Sequence, residues 1–201
     1  MIVIIDYGAG NIRSVARAFK HFNKEVRITD TLTNINKDDL IVLPGVGSFG
    51  NAMQELKKRG LYEPIINYVK NGQSFLAICI GLQLCFESSE ESPGVDGLGI
   101  FKGCVKKFPK KKELSIPQIG WNSLNITNNT FKKFDQEYFY FVHSYYVEPS
   151  DKTLVLSTTE YGFEYVSSVI QDNIIATQFH PEKSGKIGLA FLEKAMDYFN
   201  I

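Results

Sequence analysis

With 201 residues, 44% of them apolar and 22% charged, the chain has the length and balance of one globular domain spanning 1–201. Twenty-two basic and twenty-two acidic residues cancel, which argues against nucleic acid as a partner, since such binders carry a basic excess or stripe. No apolar run approaches the ~20 residues that span a bilayer, and Met1-Ile2-Val3-Ile4-Ile5-Asp6 lacks the basic region and cleavage site of a signal peptide, so a cytoplasmic protein without a membrane partner is expected.

Ile2 to Asp6 is a continuous apolar run ending in a carboxylate, the pattern of a buried strand. Asn11 to Asn23 places Ile12, Val15, Ala16 and Phe19 on one helical face. Val26 to Thr29 and Leu40 to Leu43 are further strands, the second closed by Pro44-Gly45. Helical patterns follow at Ala52 to Arg59 and Pro64 to Val69, and the apolar run Phe75 to Ile80 turns at Gly81 into Leu82-Gln83-Leu84-Cys85-Phe86. Apolar strands alternating with helices imply a parallel sheet covered on both faces.

The second half changes character. The dense basic run Lys106-Lys107-Phe108-Pro109-Lys110-Lys111-Lys112 reads as a solvated loop. Segments around Val105, Ile119 to Ile126, Tyr138 to Val147, Leu154 to Thr159, Tyr165 to Ile170 and Ile174 to Phe179 are strand-like, and Asp172-Asn173 reads as a hairpin connection. A last amphipathic helix, Ile187 to Phe199, presents Ile187, Ala190, Phe191, Lys194, Ala195 and Tyr198 at helical spacing. The fold class expected is α/β: a mostly parallel central sheet flanked by helices, with additional antiparallel strands in the second half.

Three cysteines, Cys79, Cys85 and Cys104, are an odd number without metal-ligand spacing, so neither a disulfide framework nor a metal or other cofactor is expected. Cys79 is the one with chemistry around it. In Ser74-Phe75-Leu76-Ala77-Ile78-Cys79-Ile80-Gly81-Leu82-Gln83 a strand runs through small residues into a helix, the arrangement of a nucleophile elbow with Cys in place of Ser. The helix start beyond Cys79 favours the reactive thiolate. A buried structural cysteine is the competing reading of this segment taken alone.

A thiol nucleophile needs a base, and there are three histidines. His21 falls in the first helical pattern as a surface or boundary residue. His143 sits in Phe141-Val142-His143-Ser144-Tyr145, and His180 in Gln178-Phe179-His180-Pro181-Glu182-Lys183-Ser184. In an extended chain residues two apart point the same way, so Glu182 can stand beside His180, orient it and favour its protonated form. Gly45, Val46 and Gly47, after another predicted parallel strand, can bring backbone N–H groups close to a developing oxyanion. The same turn lacks the Lys-Ser/Thr ending of a phosphate-binding loop.

Taken together, Asp6-Tyr7-Gly8-Ala9-Gly10-Asn11, Pro44-Gly45-Val46-Gly47, Cys79-Ile80-Gly81-Leu82-Gln83, Pro117-Gln118-Ile119-Gly120-Trp121-Asn122, His143-Ser144-Tyr145 and Gln178 to Ser184 resemble the class I, triad-type glutamine amidotransferases. Within that class the likeness is to the glutaminase subunits of imidazole glycerol phosphate synthase, and it spans nearly the whole chain. The resemblance implies a flavodoxin-like amidotransferase fold and a catalytic triad of Cys79, His180 and Glu182. It implies an oxyanion hole from the Gly45-Val46-Gly47 strand and the amide of Ile80. Gln83, Glu91, Ser144 and Tyr145 match positions that grip the ends of L-glutamine. Asn11, Trp121, Tyr140 and Lys183 match the face that meets a barrel-shaped cyclase subunit in a heterodimer, into which ammonia is channelled for histidine biosynthesis.

Two residues depart from the family pattern. Ala77 stands where the class usually has Gly, and Gln118 stands where these subunits usually have His, in the segment facing the partner. Rival functions are the same glutaminase chemistry feeding a related synthase in surface-sugar amidination, and a non-catalytic regulatory subunit of the same fold. The intact Cys79, His180 and Glu182 set speaks against the second. A related cysteine hydrolase would place His directly after the nucleophile, where Ile80 stands.

Overall fold

The computed structural model describes residues 1–110 and 114–201. The first half runs β1 (Ile2–Ile5), α1 (Ile12–Lys20), β2 (Val26–Thr29), β3 (Leu40–Leu43), α2 (Phe49–Lys58), α3 (Tyr62–Lys70), β4 (Phe75–Ile78) and α4 (Ile80–Leu84). The second half continues with β5 (Ser88–Ser89), β6 (Gly103–Lys107), β7 (Gln118–Ser123), β8 (Asn125–Ile126), β9 (Tyr138–His143) and β10 (Tyr145–Pro149). β11 (Val155–Glu160), β12 (Glu164–Gln171), β13 (Ile174–Thr177) and α5 (Gly185–Tyr198) complete it.

β1, β3, β4 and β13 are buried at every position. That is why they read as unbroken apolar runs: a strand covered on both faces has no side on which a polar residue is cheap. The main sheet is ordered β2-β1-β3-β4-β13-β12-β10-β6-β5, with β11 pairing both β12 and β8. The pairs from β2 across to β13 are parallel, and β13–β12, β12–β10 and β10–β6 are antiparallel. β13 lies parallel to β4 with Thr177 opposite Ile78, so the residues that leave these two strands emerge at the same end of the sheet.

Buried apolar residues from both halves form one cluster, running from Ile2 to Phe199. Phe139 and Phe179 rings sit 4.5 Å apart, and Phe191 of α5 packs on Phe134 and Phe179, each at 5.2 Å. Each such fully buried ring contributes about 1.5–3 kcal/mol relative to exposure, which fixes α5 against the sheet. The buried stripe of α5 is Gly188, Phe191, Leu192, Ala195 and Met196. It is rotated from the expected face, because Ile187, Ala190, Lys194 and Tyr198 are only partly covered.

Other expectations are corrected by backbone pairing. Ile119 to Ile126 divides at Leu124 into β7 and β8, and Tyr138 to Val147 divides at Ser144 into β9 and β10. β7 and β9 form a separate two-stranded antiparallel sheet, while β8 and β10 belong to the main one. Side-chain alternation reports which face is buried, not which strand accepts the backbone bonds, so it passes through both breaks unnoticed. Lys106 and Lys107 belong to β6 rather than a loop, Lys106 pairs with Glu148 of β10 at 2.6 Å, and Phe108 is buried. The loop reading of Lys111 and Lys112 lies outside the described residues. Asp172 and Asn173 do connect two antiparallel strands, with Gln171 opposite Ile174. No helix among the described residues is long and apolar enough to cross a membrane.

Candidate active site

Cys79 occupies the bend between β4 and α4 with φ +57° and ψ −109°, a conformation that L residues adopt only under constraint from their surroundings. Its amide donates to the carbonyl of Thr177 on β13 at 2.7 Å, and its carbonyl accepts from Leu82 at 3.0 Å. The bend needs small neighbours. A Cβ on Gly81 falls 2.2 Å from the carbonyl oxygen of Leu43, but 3.5 Å from the Cβ of Ala77. Gly81 is therefore obligatory because of the Leu43 carbonyl, not because of the Ala77 methyl, which even an added Cβ would clear. Helix α4 is only five residues long, so its dipole is small beside that of a full helix.

His180 leaves β13 with its amide donating to the Tyr140 carbonyl at 2.9 Å. The Ser184 hydroxyl donates to the His180 carbonyl at 2.7 Å and accepts from the Tyr140 amide at 3.0 Å, clamping the histidine to β9. Glu182 reaches the imidazole differently from the strand alternation expected for it. Pro181–Lys183 is a 3-10 turn, and it folds the carboxylate back so that His180 Nδ1 donates to Oε1 at 2.8 Å. Both side chains are fully buried. Asn11, at the N-terminus of α1, donates from Nδ2 to the same oxygen at 2.9 Å.

Electrostatics follow from this packing. Burial works against a charge on His180, yet the negative sulfur of Cys79 and the Glu182 carboxylate outweigh it and push its pKa up to about 10. His180 Nε2 is buried and meets no partner within ordinary hydrogen-bond limits among the described residues, while both the charge of the Cys79 sulfur and a polar contact with it favour the cation. Tyr7 also feels the charge of Cys79. Its hydroxyl donates to the Pro44 carbonyl at 2.9 Å, and burial, then the charge of Cys79, raise its pKa. Gly45 is where the backbone passes beneath it: a Cβ there falls 2.0 Å from the Tyr7 hydroxyl and 2.1 Å from Ile80 Cγ2.

A cavity of about 390 Å³ opens over Cys79, within the size range of small-molecule sites. Val46, Gly47, Ile80, Gln83, Glu91, Ser144, Tyr145 and Lys183 all line it. Glu91 accepts from the Phe49 amide at 2.7 Å, capping α2 from outside and fixing the carboxylate at the cavity wall. A larger cavity, about 480 Å³, lies under the β12–β13 turn beside Lys70 and Asp172. It is at the opposite end of the parallel strands and contains no nucleophile.

The expected partner-facing residues separate. Trp121 is 54% exposed, Tyr140 stacks edge-on against it at 6.2 Å, and Lys183 lies over the Tyr140 ring at 5.9 Å. Ile119 and Tyr138 extend this apolar face. Asn11 is instead buried against Glu182. Gln118 is buried too, because alternation along β7 turns Ile119 and Trp121 outward and Gln118 inward, where its Oε1 accepts from Tyr165 at 2.9 Å. The departure from His at that position therefore faces the core, not the exposed side. His143, 6% exposed, donates from Nδ1 to the Tyr145 carbonyl at 2.7 Å and meets the Tyr165 hydroxyl at 3.3 Å. Sequence reasoning missed Tyr7, Gln178, Ser184 and Tyr165. The first three lie inside the quoted motifs, so their position was legible though their contacts were not.

The model of the family described as glutamine amidotransferase class-I matches residues 3–196. The chain is 45% identical over 199 residues to imidazole glycerol phosphate synthase subunit HisH of Methanothermobacter thermautotrophicus, covering 98% of each. It is 40% identical over 198 residues to the chloroplastic imidazole glycerol phosphate synthase hisHF of Arabidopsis thaliana, covering 96% of this chain and 33% of that one. A solved glutamine amidotransferase shares the fold, with a TM-score of 0.77 at 16% identity over 100% of this chain and 99% of the other. With a family match over almost its whole length and HisH subunits as near-full-length relatives, the chain belongs to the class-I glutamine amidotransferases, in the HisH family.

Proposed function

We propose that the chain is the glutaminase subunit of an imidazole glycerol phosphate synthase, acting as one domain over 1–201 in the cytoplasm. Cys79 attacks the carboxamide carbon of glutamine and forms a glutamyl thioester, while His180, charged in the resting site, gives its proton to the departing ammonia. His180 then takes a proton from water, which attacks the thioester and releases glutamate. Glu182 holds the imidazole in the required orientation, and Asn11 holds Glu182. Amides of the Gly45-Val46-Gly47 segment and of Ile80 receive the oxyanion. Gln83, Glu91, Ser144 and Tyr145 hold the α-amino and carboxylate ends of the substrate.

The observation that carries this reading is the buried His180–Glu182 pair, bonded at 2.8 Å, at the same strand ends as a cysteine bent to φ +57°. A glutamine-mimicking diazoketone should label Cys79, and Cys79→Ala should abolish ammonia release. An unlabelled Cys79, or ammonia release that survives the substitution, removes the assignment. The partner is a (βα)8 cyclase subunit in a heterodimer, seated on the exposed face of Ile119, Trp121, Tyr138, Tyr140 and Lys183. Trp121→Ala should weaken that complex at least tenfold, as loss of a central aromatic anchor does, without changing labelling of Cys79. Undiminished binding would place the partner elsewhere.

A further inference from the structure

We propose that Gln178 is a further residue of the reaction centre, whose side-chain amide donates to the Cys79 sulfur and favours thiolate over thiol. This rests on Cys79 being the nucleophile. Sγ lies between two polar neighbours with opposite preferences. The Val142 carbonyl, 4.0 Å away, can only accept, so it holds the S–H proton. Gln178 Nε2, 3.8 Å away, can only donate, so its contact strengthens when the sulfur becomes an anion. Both contacts are long, as befits a large sulfur atom in a site without substrate.

The direction of the Gln178 amide is dictated from outside. The Tyr145 main-chain carbonyl is purely an acceptor, and Gln83 Nε2 donates to it at 3.1 Å. The second hydrogen of that nitrogen goes to Gln178 Oε1, also at 3.1 Å. With its oxygen engaged there, Gln178 presents its nitrogen to Cys79. Turning Gln178 over sets donor against donor at Gln83, and turning Gln83 over sets oxygen against the Tyr145 carbonyl. Gln178 is fully buried and Gln83 nearly so, where a mispaired amide costs more than a bond gains. The Tyr145 carbonyl is itself held from its other side by His143. One carbonyl thus determines, through two amides, that the sulfur meets a donor. The short α4 contributes little to the same end, so Gln178 adds a directed amide donor to the charge of His180 beside the sulfur.

The titratable groups around the sulfur are His180 and Tyr7, with Glu91, His143, Tyr145 and Lys183 on the cavity wall, and the test leaves all of them in place. The rate of Cys79 alkylation by iodoacetamide is followed against pH, with peptide-resolved mass spectrometry separating Cys79 from Cys85 and Cys104. Relative to the unaltered chain, Gln178→Met should raise the midpoint by about one unit, roughly a tenfold loss of reactive thiolate at pH values below it. Gln178→Glu should raise it further, because an acceptor then faces the sulfur. Unchanged midpoints in both folded variants overturn the proposal and leave Cys79 as nucleophile, whereas a Cys79 inert in the unaltered chain removes the nucleophile reading itself. A second measurement needs no altered Gln178. The ¹⁵N–¹H resonances of its side-chain amide should titrate with the Cys79 midpoint and stay flat in Cys79→Ala. If they are flat in the unaltered protein as well, Gln178 does not contact the sulfur in the way described.

Discussion

Two buried histidines at one end of the sheet differ in charge, His180 held as a cation and His143 neutral. Burial penalises the charged form of both. At His180 the Cys79 sulfur and the Glu182 carboxylate overcome that penalty and raise the pKa to about 10. At His143, burial and then the charge of His180 prevail over the one favourable contact, the Tyr145 carbonyl, and lower the pKa to about 4. His143 is surrounded by the rings of Phe108, Phe141 and Tyr165, with centroids at 5.1, 5.7 and 5.4 Å, and among the described residues its ring nitrogens meet a carbonyl and a hydroxyl rather than a carboxylate. Depth alone therefore does not decide whether an imidazole can do acid–base work. An anionic partner within bonding distance does.

The sharpest way to break the comparison is to delete each ring. His180→Gln should cost glutaminase activity roughly 10³–10⁶-fold, in the range seen when one member of a catalytic triad is removed. His143→Gln should keep activity within about tenfold, since a ring that stays neutral supplies no proton in turnover. Equal losses in ammonia release would mean that both rings serve the reaction. Next in size is Glu182→Gln, which preserves shape but removes the charge that outweighs burial. A loss of about 10²–10⁴-fold in kcat is expected from a misoriented, less basic imidazole. A variant with unaltered kcat would show that Cys79 alone sustains the cation.

The smallest effect is on stability, and its sign differs between the two sites. The fold favours the protonated form of His180, so that contribution is complete below about pH 6.5 and fades as pH rises through about 10. It favours the neutral form of His143, so that contribution is complete above about pH 6.5 and fades as pH falls towards 4. Urea midpoints measured across this span should flatten on the alkaline side in His180→Gln and on the acid side in His143→Gln. Limbs that respond to the wrong variant would reverse the assignment of the two charges.

Much of this was legible in the residues. The unbroken apolar runs at Ile2–Ile5, Leu40–Leu43 and Phe75–Ile78 announce strands buried on both faces, because no polar side chain survives there. Cys79 between Ala77 and Gly81 announces a tight bend, for steric reasons that hold before any fold is known. The breaks at Leu124 and Ser144 were not legible, since inward and outward alternation continues through them while the backbone changes partners. Gln118 was placed with an exposed segment because its neighbours belong there, and only the register of β7 shows which residues of that segment face inward.

The sequence by itself determined that a cysteine at a strand–helix bend and a His-Pro-Glu segment existed in one chain of α/β type, because strand burial, bend sterics and turn chemistry are local. The tertiary structure decided that they meet. It did so by inserting the last strand, β13, parallel to β4, a long-range pairing that no local pattern encodes. It also decided which side chains answer the sulfur, the imidazole and the carboxylate: Gln178, Glu182 and Asn11. Hydrogen-bond direction in a buried site depends on every partner at once, and those partners come from distant parts of the chain.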